Sequence, residues 1–282
     1  MKKINNKFLV DTQWLSKHLQ DDNIVIVDCQ WNENAYLKAH IPNAIKRPGH
    51  SFIKSEQTGE LGKYLPDAEE FSRLMTEAGI DSDTEVICYD EWNNHFATRL
   101  WWVLKYYGHQ KVRLLNGGWQ AWVAAGLPVS YTVTEANAAS RPYSVHEDPT
   151  LNITMKELLE TYDNHNVQVL DVRRESEFNG TELGKNRRGG HIPGAIHLEW
   201  NRLYSESKQW KGVNFFQSEE EMQTLFDQHG VSRDKTAVVH CQAGVRASFT
   251  FFCLKMLGYP DVKLYDASMG EWANTEHTPL VK

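Results

Sequence analysis

The sequence predicts an α/β protein made of two copies of one domain, each a mostly parallel sheet flanked by helices. Three observations carry this reading. Segments of the first half recur in the second, in the same order and at nearly constant offset. In both halves short β-branched runs alternate with helical stretches. The length, 282 residues, suits two domains at roughly 150 residues each.

The repeat runs through the whole chain. IVIVD (24–28) is answered by VQVLD (167–171), and HIPNAI (40–45) by HIPGAI (191–196). DTEVICYD (83–90) returns as DKTAVVHC (234–241) at an offset of 151, and KVRLLNGGWQAW (111–122) as DVKLYDASMGEW (261–272) at 150. One residue is therefore lost between the last two matches. Asp-to-His spacing is twelve in the first half and twenty in the second, so the second copy carries an eight-residue insertion there.

The elements follow in order. IVIV, VICY and VRLL in the first half, and VQVL, AVVH and VKLY in the second, read as buried strands. PDAEEFSRLMTEAG (66–79) reads as a helix with Phe71, Leu74, Met75 and Ala78 on one face and Gly79 as its stop. SEEEMQTLFDQHG (218–230) is its counterpart, opened by Ser218 and an acidic first turn. Strands alternating with helices imply a parallel sheet covered on both faces. Residues 129–149 follow neither period and are rich in small and polar residues, as expected of a linker. The expected organisation is 1–128, linker 129–149, and 150–282.

Composition narrows the function. Hydrophobic residues make up 41% and charged residues 24%, ordinary globular usage. The net charge of −7 disfavours nucleic acid as a partner. No apolar run approaches the ~20 residues of a membrane helix, and the N-terminus has no secretory pattern, so a cytoplasmic protein is expected. Four cysteines without a CxxC argue for reduced thiols and against a metal site. Ten Trp residues are an excess; Trp101, Trp102, Trp119 and Trp122 are expected in the core or on an interdomain surface.

The chemistry concentrates in TAVVHCQAGVRASFTFFCLKMLG (236–258). A strand ends at His240, Cys241 follows, and an apolar helix starts within the next few residues and runs to about Leu257. Ligands sit at this carboxyl end of strands in open α/β sheets. Unpaired N–H groups and the helix dipole at the helix start stabilise a thiolate or an oxyanion. Small residues at 243 and 244 let the backbone curl so that N–H groups converge. Arg246 adds a permanent cation with a planar fork of donors. A thiolate there is a nucleophile. Cys29, Cys88 and Cys253, within strands or an apolar helix, read as small buried hydrophobes.

These features resemble the tandem-domain rhodaneses, the thiosulfate and 3-mercaptopyruvate sulfurtransferases. The resemblance covers about residues 8–280. It rests on the duplicated halves, HIPNA and HIPGA, RLWWVLKYYGH (99–109), LNGGWQAW (115–122), DVRRESEFNG (171–180), GEW (270–272) and a Cys loop only in the second half. It implies a transferase in which Cys241 takes a sulfane sulfur as a persulfide and passes it to a nucleophile such as cyanide or a thiol. No cofactor beyond that covalent intermediate is implied. Gln242, Ala243, Gly244, Val245 and Arg246 match the active-site loop. The first-half equivalent of Cys241 is Asp90, which cannot form a persulfide, so the first half is implied to be non-catalytic and to supply one wall of the cleft. Thioredoxin is a further acceptor to consider, and a monomer is expected.

Two competitors belong to other classes. Cysteine-dependent phosphatases use H-C-x5-R, whereas four residues separate Cys241 from Arg246 here. A non-catalytic sulfur-relay module would use the same persulfide. Within the family the donor is open. Arg173, Arg187 and Arg188 match regions where basic residues bind donors, and carboxylate recognition by arginine would suit mercaptopyruvate. Mercaptopyruvate enzymes typically carry a small residue after the cysteine, Thr where Arg246 stands, and often Arg where Glu177 stands. The C-x-x-G-x-R form is closer to single-domain rhodaneses, and thiosulfate is the preferred donor. His40 and His191 read as structural, bonded to backbone or to Asp28 and Asp171. His240 reads as a core histidine beside the nucleophile, Glu271 and Trp272 as closing the last helix, and Ser268 as able to approach the cleft. Trp31, Arg47 and His50 are first-half candidates for the cleft wall.

Overall fold

A computed structural model describes residues 5–47 and 65–282. His50 lies outside the described residues. The chain divides into two compact units, residues 1–148 with 204–216, and residues 149–203 with 217–282.

The first unit contains β1 (Leu9–Val10), α1 (Thr12–Lys17), β2 (Ile24–Asp28), α2 (Glu33–Lys38), β3 (Ile45–Lys46), α3 (Ala68–Glu77), β4 (Glu85–Tyr89), α4 (His95–Tyr106), β5 (Val112–Leu115) and α5 (Gly118–Ala124). Its sheet runs β1-β5-β4-β2-β3, and every pairing is parallel. The expected helix at 66–79 starts at Ala68, because the Asp67 carboxylate accepts from Glu70 N at 2.8 Å and caps it. Phe71, Leu74, Met75 and Ala78 are all buried. Trp122 joins the β-sheet core with Ile26, Ile87 and Leu115, and Trp101 and Trp102 are also buried. Residues 129–148 pack onto this unit rather than hanging free. Ser130 and His40 exchange backbone hydrogen bonds, and Tyr143 is buried with its N–H on Thr76 Oγ1.

The rest of the chain adds α6 (Met155–Thr161), β6 (Val167–Asp171), α7 (Glu175–Phe178), β7 (Ile196–His197), β8 (Tyr204–Glu206), β9 (Asn214–Phe216), α8 (Glu219–Gln228), β10 (Thr236–His240), α9 (Val245–Met256), β11 (Val262–Leu264) and α10 (Ser268–Trp272). The second unit's sheet runs β11-β10-β6-β7, again parallel throughout. Ser218 caps α8 through a reciprocal box with Glu221. The antiparallel β8–β9 hairpin clusters with the first unit, where Asn214 Nδ2 donates to Asn93 Oδ1 at 3.0 Å and Phe216 N to Asn116 Oδ1 at 3.2 Å. The two units match element for element through β2/β6, β4/β10, α4/α9 and β5/β11. The residue lost between the halves falls between β4 and α4: residues 91–94 separate Asp90 from α4, while only 242–244 separate Cys241 from α9.

Candidate active site

In the second unit β10 ends at His240, and Cys241 follows at its carboxyl end, 1% exposed. Gly244 then takes φ +79° and caps α9. That left-handed turn folds the loop back onto the helix start, where first-turn N–H groups have no intrahelical carbonyl to bond. The loop is pinned from α10. Ser268 Oγ accepts from Cys241 N at 3.1 Å and from Gly244 N at 3.2 Å, and donates to Tyr265 O at 2.8 Å. Met269 N donates to Cys241 O, and Gly270 N to Gln242 O. Ser268 itself has φ +57°, and its first-half counterpart Gly118 has φ +55°. A serine holds a conformation that favours glycine because its hydroxyl closes the cysteine loop.

The first unit shows what such a loop does to a negative charge. Asp90 is fully buried. Its carboxylate accepts four backbone N–H groups, from Trp92 at 2.7 Å and from Asn94, Phe96 and Ala97 at 2.8 Å. Burial lifts the carboxyl to about 6, against the downward pull of those four bonds. The converging donors expected of the repeat are therefore present in this unit and already occupied by the protein's own anion.

The predicted site residues separate into two groups. Gln242, Ala243, Gly244, Val245 and Arg246 form the loop and first helical turn after Cys241. Arg246 is half-buried and bound as a two-pronged fork, Nη1 to Glu177 Oε2 at 2.6 Å and Nη2 to Glu177 Oε1 at 2.8 Å. Burial opposes the Arg246 charge, but the hydrogen bonds and charge of Glu177 outweigh it and push the pKa up. Burial also opposes the Glu177 charge, and Arg246 with Arg174 brings that carboxyl down to about 2. Gln242 is locked by a reciprocal amide pair: Nε2 donates to Asn186 Oδ1 at 2.7 Å, and Asn186 Nδ2 returns to Gln242 Oε1 at 2.9 Å.

Two of the other three arginines are engaged within the fold. Arg173 is buried, with Nε and Nη2 on the Asp171 carboxylate at 2.6–3.0 Å and Nη2 also on Gly190 O. Arg188 donates to the carbonyls of Trp272, Ala273, Thr275 and Thr278 and to Thr278 Oγ1. Their donors hold the fold together. Arg187 is exposed, and its backbone N–H donates to Asn274 Oδ1 at 2.8 Å.

The histidines are structural in geometry. His40 places Nδ1 and Nε2 2.8 and 3.1 Å from the carbonyls of Tyr36 and Thr132, and His191 Nδ1 lies 3.0 Å from Phe178 O. Neither bonds to the strand-end aspartates; Asp28 takes the Tyr89 hydroxyl at 2.7 Å instead. His240 is buried, 3.8 Å from Asp171, and burial pulls its pKa down. Cys29, Cys88 and Cys253 are buried, and burial drives the thiols of Cys29 and Cys253 well up. In the first unit Trp31 is half exposed and stacks on Phe96, while buried Arg47 donates to the carbonyls of Gln30 and Trp31. Sequence reasoning missed Asn186 as the partner of Gln242, and nothing in its local sequence marks it. It also missed the Glu177–Arg246 pair, although both residues depart from the mercaptopyruvate pattern, and in opposite senses of charge.

Comparison with known proteins places both halves in one family. The rhodanese-like domain model matches residues 11–125 and again 154–275. The chain is 32% identical to the 3-mercaptopyruvate sulfurtransferase of Escherichia coli, covering 98% of this chain and 99% of the relative. It is equally identical to a Mycobacterium tuberculosis protein named "Putative thiosulfate sulfurtransferase", over 96% of each chain. It is 32% identical to the sulfur carrier protein TtuD of Thermus thermophilus, over 97% of this chain and 96% of the relative. Among solved structures, the anaerobic ergothioneine biosynthesis enzyme of Chlorobium limicola superposes with TM-score 0.85 at 23% identity, covering 99% of this chain and 71% of that one, a likeness of fold. With both halves matched and curated relatives along nearly its full length, the chain belongs to the rhodanese-like family, whose members matched here share sulfur transfer.

Proposed function

We propose that the chain moves a sulfane sulfur from thiosulfate through a persulfide on Cys241 to a nucleophilic acceptor such as cyanide or a small thiol. The Cys241 thiolate attacks the outer sulfur of thiosulfate. The new S–S bond forms as the old one breaks, and sulfite leaves with the electron pair. The acceptor then attacks the terminal sulfur of the persulfide and returns Cys241 as thiolate. Each step is a displacement at sulfur with no net oxidation, so no cofactor is required and ping-pong kinetics are expected.

The observation that carries this reading is the seat of Cys241. It stands at a strand end before a helix start, in a loop held by Ser268, with Arg246 on the first turn of α9. The Asp90 loop supports it, because the equivalent turn there gathers four N–H groups around an anion. Thiosulfate is favoured over 3-mercaptopyruvate because two of the three candidate donor arginines, Arg173 and Arg188, have their donors engaged within the fold, while Arg187 keeps an exposed side chain. Mass spectrometry after thiosulfate treatment should find one added sulfur on Cys241, removable by cyanide. Full turnover in Cys241→Ser would sink the proposal. A donor comparison of kcat/KM decides between thiosulfate and 3-mercaptopyruvate. Cys241-dependent turnover of p-nitrophenyl phosphate would point to a phosphatase. Persulfide passed to a partner protein, with negligible turnover on small acceptors, would point to a relay module.

A further inference from the structure

Glu177 carries more than a structural contact. It is the last residue but one of α7, and it is 69 residues from Arg246 in sequence. Its carboxylate faces Arg246 with both oxygens, at 2.6 and 2.8 Å, and its side chain is only 10% exposed. Arg174 Nε reaches the same carboxylate at 3.1 Å, and Arg174 Nη2 is matched by Glu182 at 2.7 Å. The two arginines and two glutamates therefore sum to zero. Arg246 is the cation on the first turn after the cysteine loop, and its charge is compensated one-for-one by a carboxylate shielded from solvent.

This has a consequence for the donor. Attack on thiosulfate brings a dianion up to a thiolate, so three negative charges gather at one place. A site built to favour dianions would leave Arg246 uncompensated. Resting on the sulfur-transfer reading above, we infer that Glu177 is a specificity-determining and positioning residue: it holds the Arg246 fork in place while lowering the site's preference for doubly charged over singly charged sulfur donors. Singly charged donors with a sulfane sulfur, such as organic thiosulfonates and persulfides, are then the class this charge balance suits. Thiosulfate, a dianion, is then taken less readily than an uncompensated Arg246 would take it, because both prongs of the fork are engaged by Glu177.

The test uses two donors of nearly the same shape that differ by one charge, thiosulfate and methanethiosulfonate. Both are offered to the full chain at low ionic strength with cyanide as acceptor. In Glu177→Gln the ratio of kcat/KM for thiosulfate to that for methanethiosulfonate is expected to rise about fivefold, carried by KM for thiosulfate. Salt at ~0.5 M should shrink that rise, because the gain is Coulombic. Glu177→Asp keeps the charge and should keep the wild-type ratio even where kcat falls. An unchanged or lowered ratio in Glu177→Gln overturns the inference. So does loss of both donors in Glu177→Gln together with a normal Glu177→Asp ratio, which would leave Glu177 a purely structural role. Absence of transfer from either donor in the wild-type chain would instead remove the sulfur-transfer reading itself.

Discussion

Asp90 and Cys241 occupy the same place in two copies of one fold, each directly after the central strand and just before a helix start. The first copy fills its loop with its own carboxylate, and the second puts a thiol there. The loops also differ by one residue, and Phe96 stands on the first helical turn in the first unit where Arg246 stands in the second. The first unit's loop thus differs from the second's in three ways: an aspartate in place of the thiol, a phenylalanine in place of the cation, and N–H donors already occupied by a carboxylate. The double variant Asp90→Cys/Cys241→Ser is expected to show no recovery of sulfur transfer above Cys241→Ser alone. Asp90→Ala leaves four backbone N–H groups without their acceptor, those of Asn94 and Ala97 buried and those of Trp92 and Phe96 half-buried. At about 1 kcal/mol per unsatisfied buried group, a loss of about 2 kcal/mol in urea unfolding is expected at pH 4, and it should shrink as pH rises through about 6, because the variant also removes a carboxyl that burial disfavours when charged.

A second contrast between the copies predicts a pH dependence. In the second unit His240 beside Asp171 and Arg173 two residues on hold its carboxyl low despite burial. In the first unit the residue two on from Asp28 is Gln30, which offers its amide and no charge. Burial therefore lifts Asp28 to about 7. An acid whose folded pKa is raised favours the folded state only while protonated. Its contribution is full below the unfolded value near 4 and is lost as pH rises to about 7. A rise of ~3 pH units corresponds to ~4 kcal/mol. Asp28→Asn should raise the melting temperature at pH 8 and leave it nearly unchanged at pH 4. A parallel shift at both values would rule out this origin.

Arg246 and Glu177 can be separated by a double-mutant cycle. Arg246→Ala removes the cation and leaves the buried Glu177 carboxylate with only Arg174 of its two arginines, through Nε at 3.1 Å. Loss of kcat/KM for thiosulfate of at least about tenfold is expected, together with a lowered melting temperature. In a Glu177→Gln background the same Arg246→Ala change should cost much less stability, because no unpaired charge remains. Turnover should stay low in that background, since the donor's cation is still missing. Additive stability losses would show that the pair is not coupled.

The arginines also mark the limit of what the sequence displays. Three strands in each half were legible because β-branched runs recur at matching places, and the start of α8 because Ser218 is a cap. Cys241 and its loop were legible because the thiol, the glycine turn and the helix start are contiguous. Where a guanidinium points depends on partners far along the chain. Arg188 is held by carbonyls 84–90 residues away. Gln242 is fixed by Asn186, 56 residues upstream. The β8–β9 hairpin escaped notice because its strands are three residues each, too short to show a period. Arg188→Ala should accordingly lower stability by about 2–4 kcal/mol while leaving the ratio of kcat/KM for the two candidate donors unchanged.

Ser268 provides a ranking test that separates backbone strain from hydrogen bonding. Its hydroxyl accepts from the N–H groups of Cys241 and Gly244, and its backbone sits at φ +57°. Glycine at this position loses both hydrogen bonds but adopts the left-handed turn freely, as Gly118 does in the first unit. Alanine loses the same bonds and keeps the strain, roughly 1 kcal/mol. Stability should therefore fall in the order wild type, Ser268→Gly, Ser268→Ala. Sulfur transfer should fall in both variants to a similar degree, because the loss shared by both is the acceptor that fixes the Cys241 loop. If Ser268→Gly instead matched wild type in turnover, the hydroxyl would have no part in shaping the loop, and the left-handed turn alone would be what α10 contributes to the site.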